Sequence, residues 1–334
     1  MKVLPDAEAA ARPMAAAETP PDKQSVAVIL PCYNEEVAIG DVVRRFRTAL
    51  PDARIYVYDN ASSDATASRA REAGAIVRAE PMRGKGNVVR RMFADVEADI
   101  YVMADGDGTY DATLAPALVE RLRADNLDMV VGTRLGSHGQ GLFRGGHRLG
   151  NRALSWLAGH LFHHRLADVL SGYRVFSRRF VKSFPALSSG FEIETELTLH
   201  ALELRLPIAE VETAYAPRPE GSVSKLNTVR DGIRILWRLT VLMKELKPLV
   251  FFGAIATVLA SVSVILAGPI FATFMDTGLV PRIPTAVLAT GIMLLAFLGL
   301  TSGLILDSLS RARLEAKRTA YLRFPGPLTG ADES

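Results

Sequence analysis

The chain has 334 residues, of which 39 are Lys or Arg and 36 are Asp or Glu, so its formal net charge is only +3. This weak basicity does not indicate a nucleic-acid partner, and the single cysteine, Cys32, excludes an intrachain disulfide framework. The length allows one catalytic domain and a smaller appendage. Residues 1–24 are rich in Ala, Pro and Glu and lack a continuous apolar core, so we predict a disordered tail there.

Short apolar runs that end in polar turns follow this tail. Helical patterns separate several of them, and this alternation predicts an α/β fold with a mostly parallel sheet and helices on both faces. Five runs are predicted as strands, at residues 25–30, 54–58, 75–78, 100–103 and 128–131. Polar residues should then gather at one edge of the sheet.

An acidic pair, Asp105 and Asp107, follows the fourth predicted strand. Two carboxylates that lie two residues apart on an extended segment face the same side. Mg²⁺ or Mn²⁺ prefers oxygen ligands and is commonly shared between carboxylates and substrate phosphates, so the pair indicates a nucleotide diphosphate site. The alternative is a solvated turn in which Asp111 caps the next helix.

Four motifs give the chain a resemblance to the family 2 glycosyltransferases of the GT-A fold: LPCYNEE at 30–36, VYDNASSDAT at 57–66, RGKGNV at 83–88 and ADGDGTYD at 104–111. Further motifs make it similar to polyisoprenyl-phosphate glycosyltransferases of the dolichyl-phosphate mannose synthase type: GTR at 132–134, SGYRVFSR at 171–178, GFEIETEL at 190–197 and RPEGSVSK at 218–225. The resemblance covers roughly residues 25–247. Where such synthases often carry Gln after the acidic pair, this chain has Thr109.

The resemblance implies that one sugar is transferred, with inversion, from a UDP- or GDP-linked donor to a polyprenyl phosphate. Asp107 would ligate Mg²⁺ or Mn²⁺ directly, and Asp105 would assist through the nucleotide or a bound water. Asp59 would accept hydrogen bonds from the base, although it could instead cap a helix ahead of Ser62. The other residues implied near the base, ribose or phosphates are Pro31, Tyr33, Glu35 and Lys85.

A lipid phosphate acceptor changes what the site requires. Its second pKa is near ~6, so it is already substantially anionic at neutral pH and does not demand a general base. By resemblance, Arg134 and Arg148 hold this phosphate. Glu194 or Glu196 either orients an acceptor arginine, serves as a base, or only favours the start of a helix. A mobile loop would close over the donor diphosphate with Arg218, Ser224 and Lys225. Each arginine could instead be a surface ion-pair partner.

Two nearly uncharged segments, 249–267 and 286–306, are each about 20 residues long, which is enough to cross a bilayer as a hairpin. Basic residues flank their outer ends, whereas the loop between them carries only Asp276 and Arg282. The positive-inside rule therefore places the catalytic domain and both termini in the cytoplasm, with residues 308–334 as a basic tail. Residues 226–247 combine basic and apolar side chains at helical spacing, which favours an interfacial helix over an ordinary amphipathic core helix.

These patterns together predict a GT-A catalytic domain at 25–225 in a multi-pass protein of the cytoplasmic membrane. One alternative is a processive polysaccharide synthase, which would normally show a QxxRW motif and more spans. Another is a nonenzymatic membrane sensor of nucleotide sugars. The identity of the sugar, the lipid length and the oligomeric state, including a homo-oligomer, stay open.

Overall fold

The structure is a computed structural model that describes residues 24–134, 167–190, 192–214, 241, 243–245 and 247–326. Several predictions fall outside these ranges. They are the tail at 1–23, most of the interfacial helix at 226–247, and the site residues Arg148, Arg218, Ser224 and Lys225.

A seven-stranded sheet has the order β3-β2-β1-β4-β6-β5-β7. Strand β6 is antiparallel to both of its neighbours, and the other pairings are parallel. The predicted mostly parallel sheet is confirmed, and β6 and β7 add to the five predicted strands. The strands are β1 (Val26–Cys32), β2 (Arg54–Asp59), β3 (Ile76–Ala79), β4 (Ile100–Met103), β5 (Met129–Thr133), β6 (Arg174–Ser177) and β7 (Ile208–Glu212).

The strand ends differ from the prediction by one or two residues. Strand β1 continues to Cys32 because its pairing with β2 persists through Cys32 opposite Asp59. Strand β5 begins at Met129, and the preceding Asp128 lies at a bend where its carboxylate accepts hydrogen bonds from the side chains of Ser177 and Arg179. Strands β1 and β2 therefore extend one or two residues further toward the polar edge than the apolar runs predict.

Helices cover both faces of the sheet, as predicted, and each face has its own apolar cluster. Successive strand residues alternate between the clusters: Val28 packs on one side with Phe46, and Ile29 packs on the other with Phe93. Burial on both faces explains why these strands read as continuous apolar runs. The helices are α1 (Ile39–Ala49), α2 (Thr66–Glu72), α3 (Lys85–Asp95), α4 (Ala115–Ala124), α5 (Arg178–Ser183) and α6 (Ile193–Leu204).

The topology brings the sequence motifs to one edge. Strands β1, β2 and β4 are parallel, so their carboxyl ends meet where Cys32, Asp59 and Asp105 stand. Strand β6 runs the other way, so its first residue, Arg174, lies toward this edge together with the preceding loop. We call this the catalytic edge of the sheet.

Two long apolar helices follow, α7 (Pro248–Thr277) and α8 (Ile283–Tyr321). The most apolar windows have mean hydropathies of 2.5 and 2.1, and only 11% of each window is buried. Both helices are thus long and apolar enough to cross a membrane, and both extend beyond the predicted segments. The core helix of a soluble protein would be mostly buried, which neither of these two helices is.

The two helices pack through mostly small residues at seven-residue spacing. The hydroxyl of Ser263 donates to the carbonyl oxygen of Ala289 at 2.7 Å, and Gly303 lies against Phe252. Small side chains let helix backbones approach closely where neither water nor a large core is available. The buried positions along this contact are Ala256, Ser263 and Ile270 on α7 and Ala289, Ala296 and Gly303 on α8.

Helix α8 continues past its apolar part into the predicted basic tail at 308–334 and contacts the sheet domain. Residues 308–321 are helical, and Tyr321 donates its hydroxyl to Asp128 at 2.8 Å. Lys317 pairs with Glu203 on α6 at 2.6 Å. Because Asp128 precedes β5, this contact lies at the opposite edge of the sheet, which we call the docking edge.

Candidate active site

The acidic pair lies in the turn after β4, at the catalytic edge. Asp107 is buried, and its Oδ1 accepts hydrogen bonds from the backbone N–H of Thr109 at 3.1 Å and from its hydroxyl at 2.6 Å. Thr109, at the position where Gln was expected, therefore orients Asp107. Gly106 packs directly on the Cys32 thiol, which leaves no room for a side chain between the two aspartates.

Asp111 does cap a helix, as the alternative interpretation expected. Its Oδ1 accepts from the N–H of Thr113 at 2.9 Å and from its hydroxyl at 2.7 Å, at the start of a short 3₁₀ turn over Ala112–Leu114. This role does not involve Asp105 or Asp107. The capping and the acidic-pair interpretations therefore apply to different aspartates.

Lys85, the first residue of α3, connects the acidic pair to α6. Its ammonium forms ion pairs with Asp105 and with Oε1 of Glu194, the latter at 2.5 Å, and its side chain is only 10% exposed. Burial acts to lower the pKa of Lys85, but the two carboxylates outweigh it and the pKa is raised. Lys85 therefore stays charged at neutral pH.

Glu194 faces the predicted donor residues. Its ion pair in the described residues is with Lys85, whereas Arg148, one of the two predicted acceptor arginines, lies outside those residues. Its second oxygen, Oε2, is buried and has no hydrogen-bond partner in that part of the chain. The neighbouring Glu196 has a structural role, because it accepts from the N–H groups of Leu187 and Ser188 at 2.8 Å.

Two glycines let the chain close tightly around Lys85. Gly86 lies against the backbone of Ser188 and donates its N–H to Ser189 at 3.1 Å. A Cβ added at Gly172 would stand 2.7 Å from Oδ2 of Asp105. Larger residues at either position would displace the loops that enclose the ammonium.

The end of β2 supplies the candidate base contact. Oδ2 of Asp59 accepts a long hydrogen bond of 3.4 Å from the N–H of Ser62, which is weak support for the capping alternative. Oδ1 of Asp59 is buried without a hydrogen-bond partner among the residues described. A buried carboxylate oxygen in this state is costly, and a bound N–H donor would remove the cost.

Asn60 is a residue that the sequence interpretation missed. Its side chain accepts from the N–H of Gly84 at 2.7 Å and donates to the carbonyl oxygens of Glu80 and Met82. It thereby ties the turn after β2 to the segment before α3. An amide side chain directly after a strand, where the turn offers unpaired backbone groups, is the signal that could have indicated it.

The remaining predicted base and ribose residues lie at the end of β1. Pro31 is buried within the strand, opposite Tyr58. Tyr33 lies in the following turn, where the guanidinium of Arg83 stands 5.2 Å from its ring centre. The N–H of Glu35 donates to the Thr66 hydroxyl at 2.8 Å, which fixes the turn against α2.

Arg134, just after β5, forms a bidentate ion pair with Asp168. Nε and Nη2 each donate to the carboxylate at 2.8 Å, and Asp168 also accepts from the backbone N–H of Arg134 at 3.1 Å. Burial alone would raise the pKa of Asp168, but these hydrogen bonds from Arg134 hold it below its usual value. Asp168 thus orients the guanidinium that the sequence assigns to the acceptor phosphate.

The residues at this edge fit a hard divalent cation held jointly with a phosphate ligand. Asp105 and Asp107 provide oxygen donors, but no group of three or more His, Cys, Asp or Glu residues is placed to hold an ion within the described ranges. Mg²⁺ and Mn²⁺ are commonly bound by one or two carboxylates together with substrate phosphates and water. The pair therefore matches a cation that the nucleotide helps to hold.

Comparison with known proteins agrees with this geometry. Residues 27–184 match the Glycosyl transferase family 2 domain. Protein RfbJ of Shigella flexneri is 56% identical over 124 residues, which are 37% of this chain and 96% of that protein. Glycosyltransferase AglJ of Haloferax volcanii is 36% identical over 240 residues, 70% of this chain and 77% of AglJ. Dolichol-phosphate mannosyltransferase of Pyrococcus furiosus is 24% identical over 247 residues, 69% of this chain and 68% of that protein.

Solved structures share the fold. Glucosyl-3-phosphoglycerate synthase of Mycobacterium tuberculosis superposes with a TM-score of 0.52 at 25% identity, covering 65% of this chain and 80% of that one. Its complex with Mn²⁺ and UDP-glucose gives a TM-score of 0.50 at 26% identity, with 66% and 78% coverage. The protein is therefore a glycosyltransferase with a GT-A-like sheet, and the chain belongs to glycosyltransferase family 2.

Proposed function

We propose that this enzyme transfers a single hexose, with inversion, from a nucleotide diphosphate sugar to a polyprenyl phosphate at a membrane surface. One observation carries the proposal: the domain with the acidic pair continues into two apolar helices, and α8 returns to contact that domain. An acceptor that is itself embedded in lipid suits a site held in this way. The similarity to a dolichol-phosphate mannosyltransferase supports the same acceptor class.

On the donor side, Asp59 accepts a hydrogen bond from the nucleotide base through its unpartnered Oδ1. Asp107 would hold the divalent cation directly, and Asp105 would assist through the nucleotide or a bound water. The bound cation would neutralise the leaving diphosphate. Lys85 keeps Asp105 and Glu194 in place and adds positive charge beside the diphosphate. Pro31, Tyr33 and Glu35 border the base and ribose.

On the acceptor side, cationic groups bring two anions together. The lipid phosphate needs no dedicated base, because its second pKa near ~6 leaves it largely ionised. Arg134, oriented by Asp168, grips this phosphate together with Arg148, since guanidinium donates in pairs to phosphate oxygens. Arg218, Ser224 and Lys225 close over the donor.

The direct experiment incubates the full chain in membranes with UDP- and GDP-hexoses, Mg²⁺ or Mn²⁺, and one of several acceptors. Polyprenyl phosphate should yield a lipid that carries one hexose, identified by mass, and EDTA should abolish the product. Repeated addition of hexose would instead indicate a processive synthase. Transfer to 3-phosphoglycerate alone would indicate a soluble acceptor. Nucleotide binding without transfer or donor hydrolysis would indicate a sensor.

The membrane orientation can be tested with single cysteines. We expect Thr277→Cys, at the end of α7, to react with an impermeant thiol reagent added outside intact cells, and Ser310→Cys to be protected. The native Cys32 is buried, so it should not react with the reagent and can be kept in both variants. The reverse labelling pattern would place the catalytic domain outside and contradict the cytoplasmic assignment.

A further inference from the structure

Arg174, the first residue of β6, is a fully buried arginine whose charge the proposed mechanism does not use. Arginine is seldom buried completely unless a carboxylate pairs with it. Here the hydrogen bonds seen within the described residues end on uncharged acceptors. Nε donates to the carbonyl oxygen of Ser171 at 2.8 Å, Nη2 to that of Val169 at 2.7 Å, and Nη1 to the Thr198 hydroxyl at 2.9 Å.

The position of Arg174 in the sheet is between the two halves of the site. In the antiparallel register it stands opposite Met103 at the end of β4 and opposite Val131 of β5. Strand β4 leads to Asp105, and β5 leads to Arg134. Strand β6 lies between β4 and β5, so Arg174 places a positive charge between the donor and acceptor sides.

The acceptors of Arg174 belong to the elements that shape both sides. Val169 and Ser171 lie in the loop that starts with Asp168, the partner of Arg134, and ends at Gly172, which touches Asp105. Thr198 donates to the backbone carbonyl of Glu194, one helical turn earlier on α6. Arg174 thus holds the loop and the helix that present the two ion pairs.

Arg174 lies between two groups of ion-paired side chains. Lys85 pairs with Asp105 and Glu194, and Arg134 pairs with Asp168. Burial lowers the pKa of Arg174 to about 10, while Glu194 and Asp168 act against that shift, so the guanidinium stays charged at neutral pH. Its charge therefore offsets part of the negative charge of the nearby carboxylates.

We propose that Arg174 is a positioning residue that holds the donor-side pair Lys85–Glu194 and the acceptor-side pair Arg134–Asp168 at a fixed separation. The proposal rests on the proposed function, because that function identifies one pair with the donor side and the other with the acceptor side. It requires that a change at Arg174 disturbs nucleotide binding and acceptor use together, although Arg174 itself touches neither substrate.

The test compares Arg174→Met and Arg174→Lys in the full chain. Binding of UDP with Mn²⁺, and kcat and KM for donor and acceptor, are measured per folded molecule. Arg174→Met should lower kcat/KM by about tenfold to a hundredfold and weaken UDP binding. Arg174→Lys should recover part of the loss in kcat/KM and in UDP binding, because it keeps the positive charge and can donate to one carbonyl oxygen. It lacks the several N–H donors of the planar guanidinium, so the recovery should be incomplete.

Arg179→Lys is the matched control, since Arg179 is also largely buried but pairs with Asp128 at the docking edge. It should lose stability and leave UDP affinity and KM unchanged. If the Arg174 variants also lose stability without a change in UDP affinity or KM, the inference is wrong. It is also wrong if they change the binding or kinetics of only one of the two substrates. If the wild type transfers nothing to polyprenyl phosphate, the proposed function fails, whereas the effect of Arg174 on UDP affinity still tests the inference.

Discussion

The carboxylates at the two edges of the sheet differ in how fully they are hydrogen-bonded. At the docking edge, both oxygens of Asp128 are satisfied: Oδ1 accepts from Ser177 and Arg179, and Oδ2 from Arg179 and Tyr321. At the catalytic edge, Oδ1 of Asp59 and Oε2 of Glu194 are buried without partners in the described part of the chain. Nδ1 of His200 on α6, near Lys317, is a third buried atom of this kind, but it is not a carboxylate oxygen. Since folded proteins rarely leave buried carboxylate oxygens unpaired, the two at the catalytic edge mark positions where a bound ligand would donate hydrogen bonds.

The largest effect should follow from breaking the charge pairing at the catalytic edge. Lys85→Met leaves Asp105 and Glu194 without their shared cation, and we expect a loss of about 3–5 kcal/mol in the free energy of unfolding together with loss of transfer. Denaturant titration and a transfer assay measure the two effects.

A lysine on another part of the molecule gives the control. Lys182→Met removes a side chain of similar burial, 12% exposed, whose ammonium binds the carbonyl oxygens of Phe93 and Val96 and the exposed Glu97. It should cost less stability and keep activity per folded molecule. Undiminished transfer by Lys85→Met would contradict the role given to Lys85.

Asp107→Asn should reduce transfer by roughly a hundredfold or more while the protein still folds, a cost on the scale of one lost electrostatic stabiliser. The assay is product formation at saturating donor and Mn²⁺. Asp111→Ala is the neighbouring control, because Asp111 only caps the 3₁₀ turn. It should cost about 1 kcal/mol of stability and leave turnover unchanged. Equal losses in both variants would remove the distinction between the two aspartates.

Acid should lower the free energy of unfolding through a buried histidine on α6. His200 on α6 is buried, and burial, followed by the nearby Lys317, lowers its pKa to about 3. As pH falls below about 6.5, the unfolded chain binds a proton at this histidine and the folded chain does not, so stability decreases toward pH 3. Between pH 6.5 and pH 4.5 the contribution is about 2–3 kcal/mol.

Unfolding free energies across this pH range check the acid prediction. His200→Gln should flatten the slope by about one proton, because Gln does not titrate. A slope that is unchanged in His200→Gln would assign the acid sensitivity to other groups.

The smallest effect is expected at Tyr321. Tyr321→Phe removes one hydrogen bond to Asp128 but keeps the ring that lies 4.9 Å from the Arg179 guanidinium. We expect a loss of about 1 kcal/mol in stability and unchanged binding of UDP with Mn²⁺. A change in nucleotide affinity would show that the docking edge communicates with the site.

The sequence predicted the features that depend on local patterns. Apolar runs located five strands, and the strand-ending position of Asp105 and Asp107 placed the acidic pair at the correct edge. The family followed from motifs and is confirmed. Each of these signals lies within a few consecutive residues.

What the sequence did not predict depends on long-range pairing. Strand β6 has four residues and starts with a charged one, so its central place between β4 and β5 has no hydropathy signature. The ion pair of Glu194 with Lys85 joins residues more than a hundred positions apart. The continuation of α8 contacts Asp128 and Glu203 through Tyr321 and Lys317. These two partners are distant in the sequence, so no local pattern in residues 308–321 identifies them.

The continuity of α8 fixes the distance between its apolar part and the docking edge. From Asp307, the first charged residue after the apolar stretch, to Tyr321 an α-helix rises about 21 Å. One inserted residue would turn Tyr321 by about 100° away from Asp128, whereas a seven-residue insertion would restore the facing side and lengthen the connection by about 10 Å. Under the proposed function, the length of this helical segment sets the height of the site above the membrane surface.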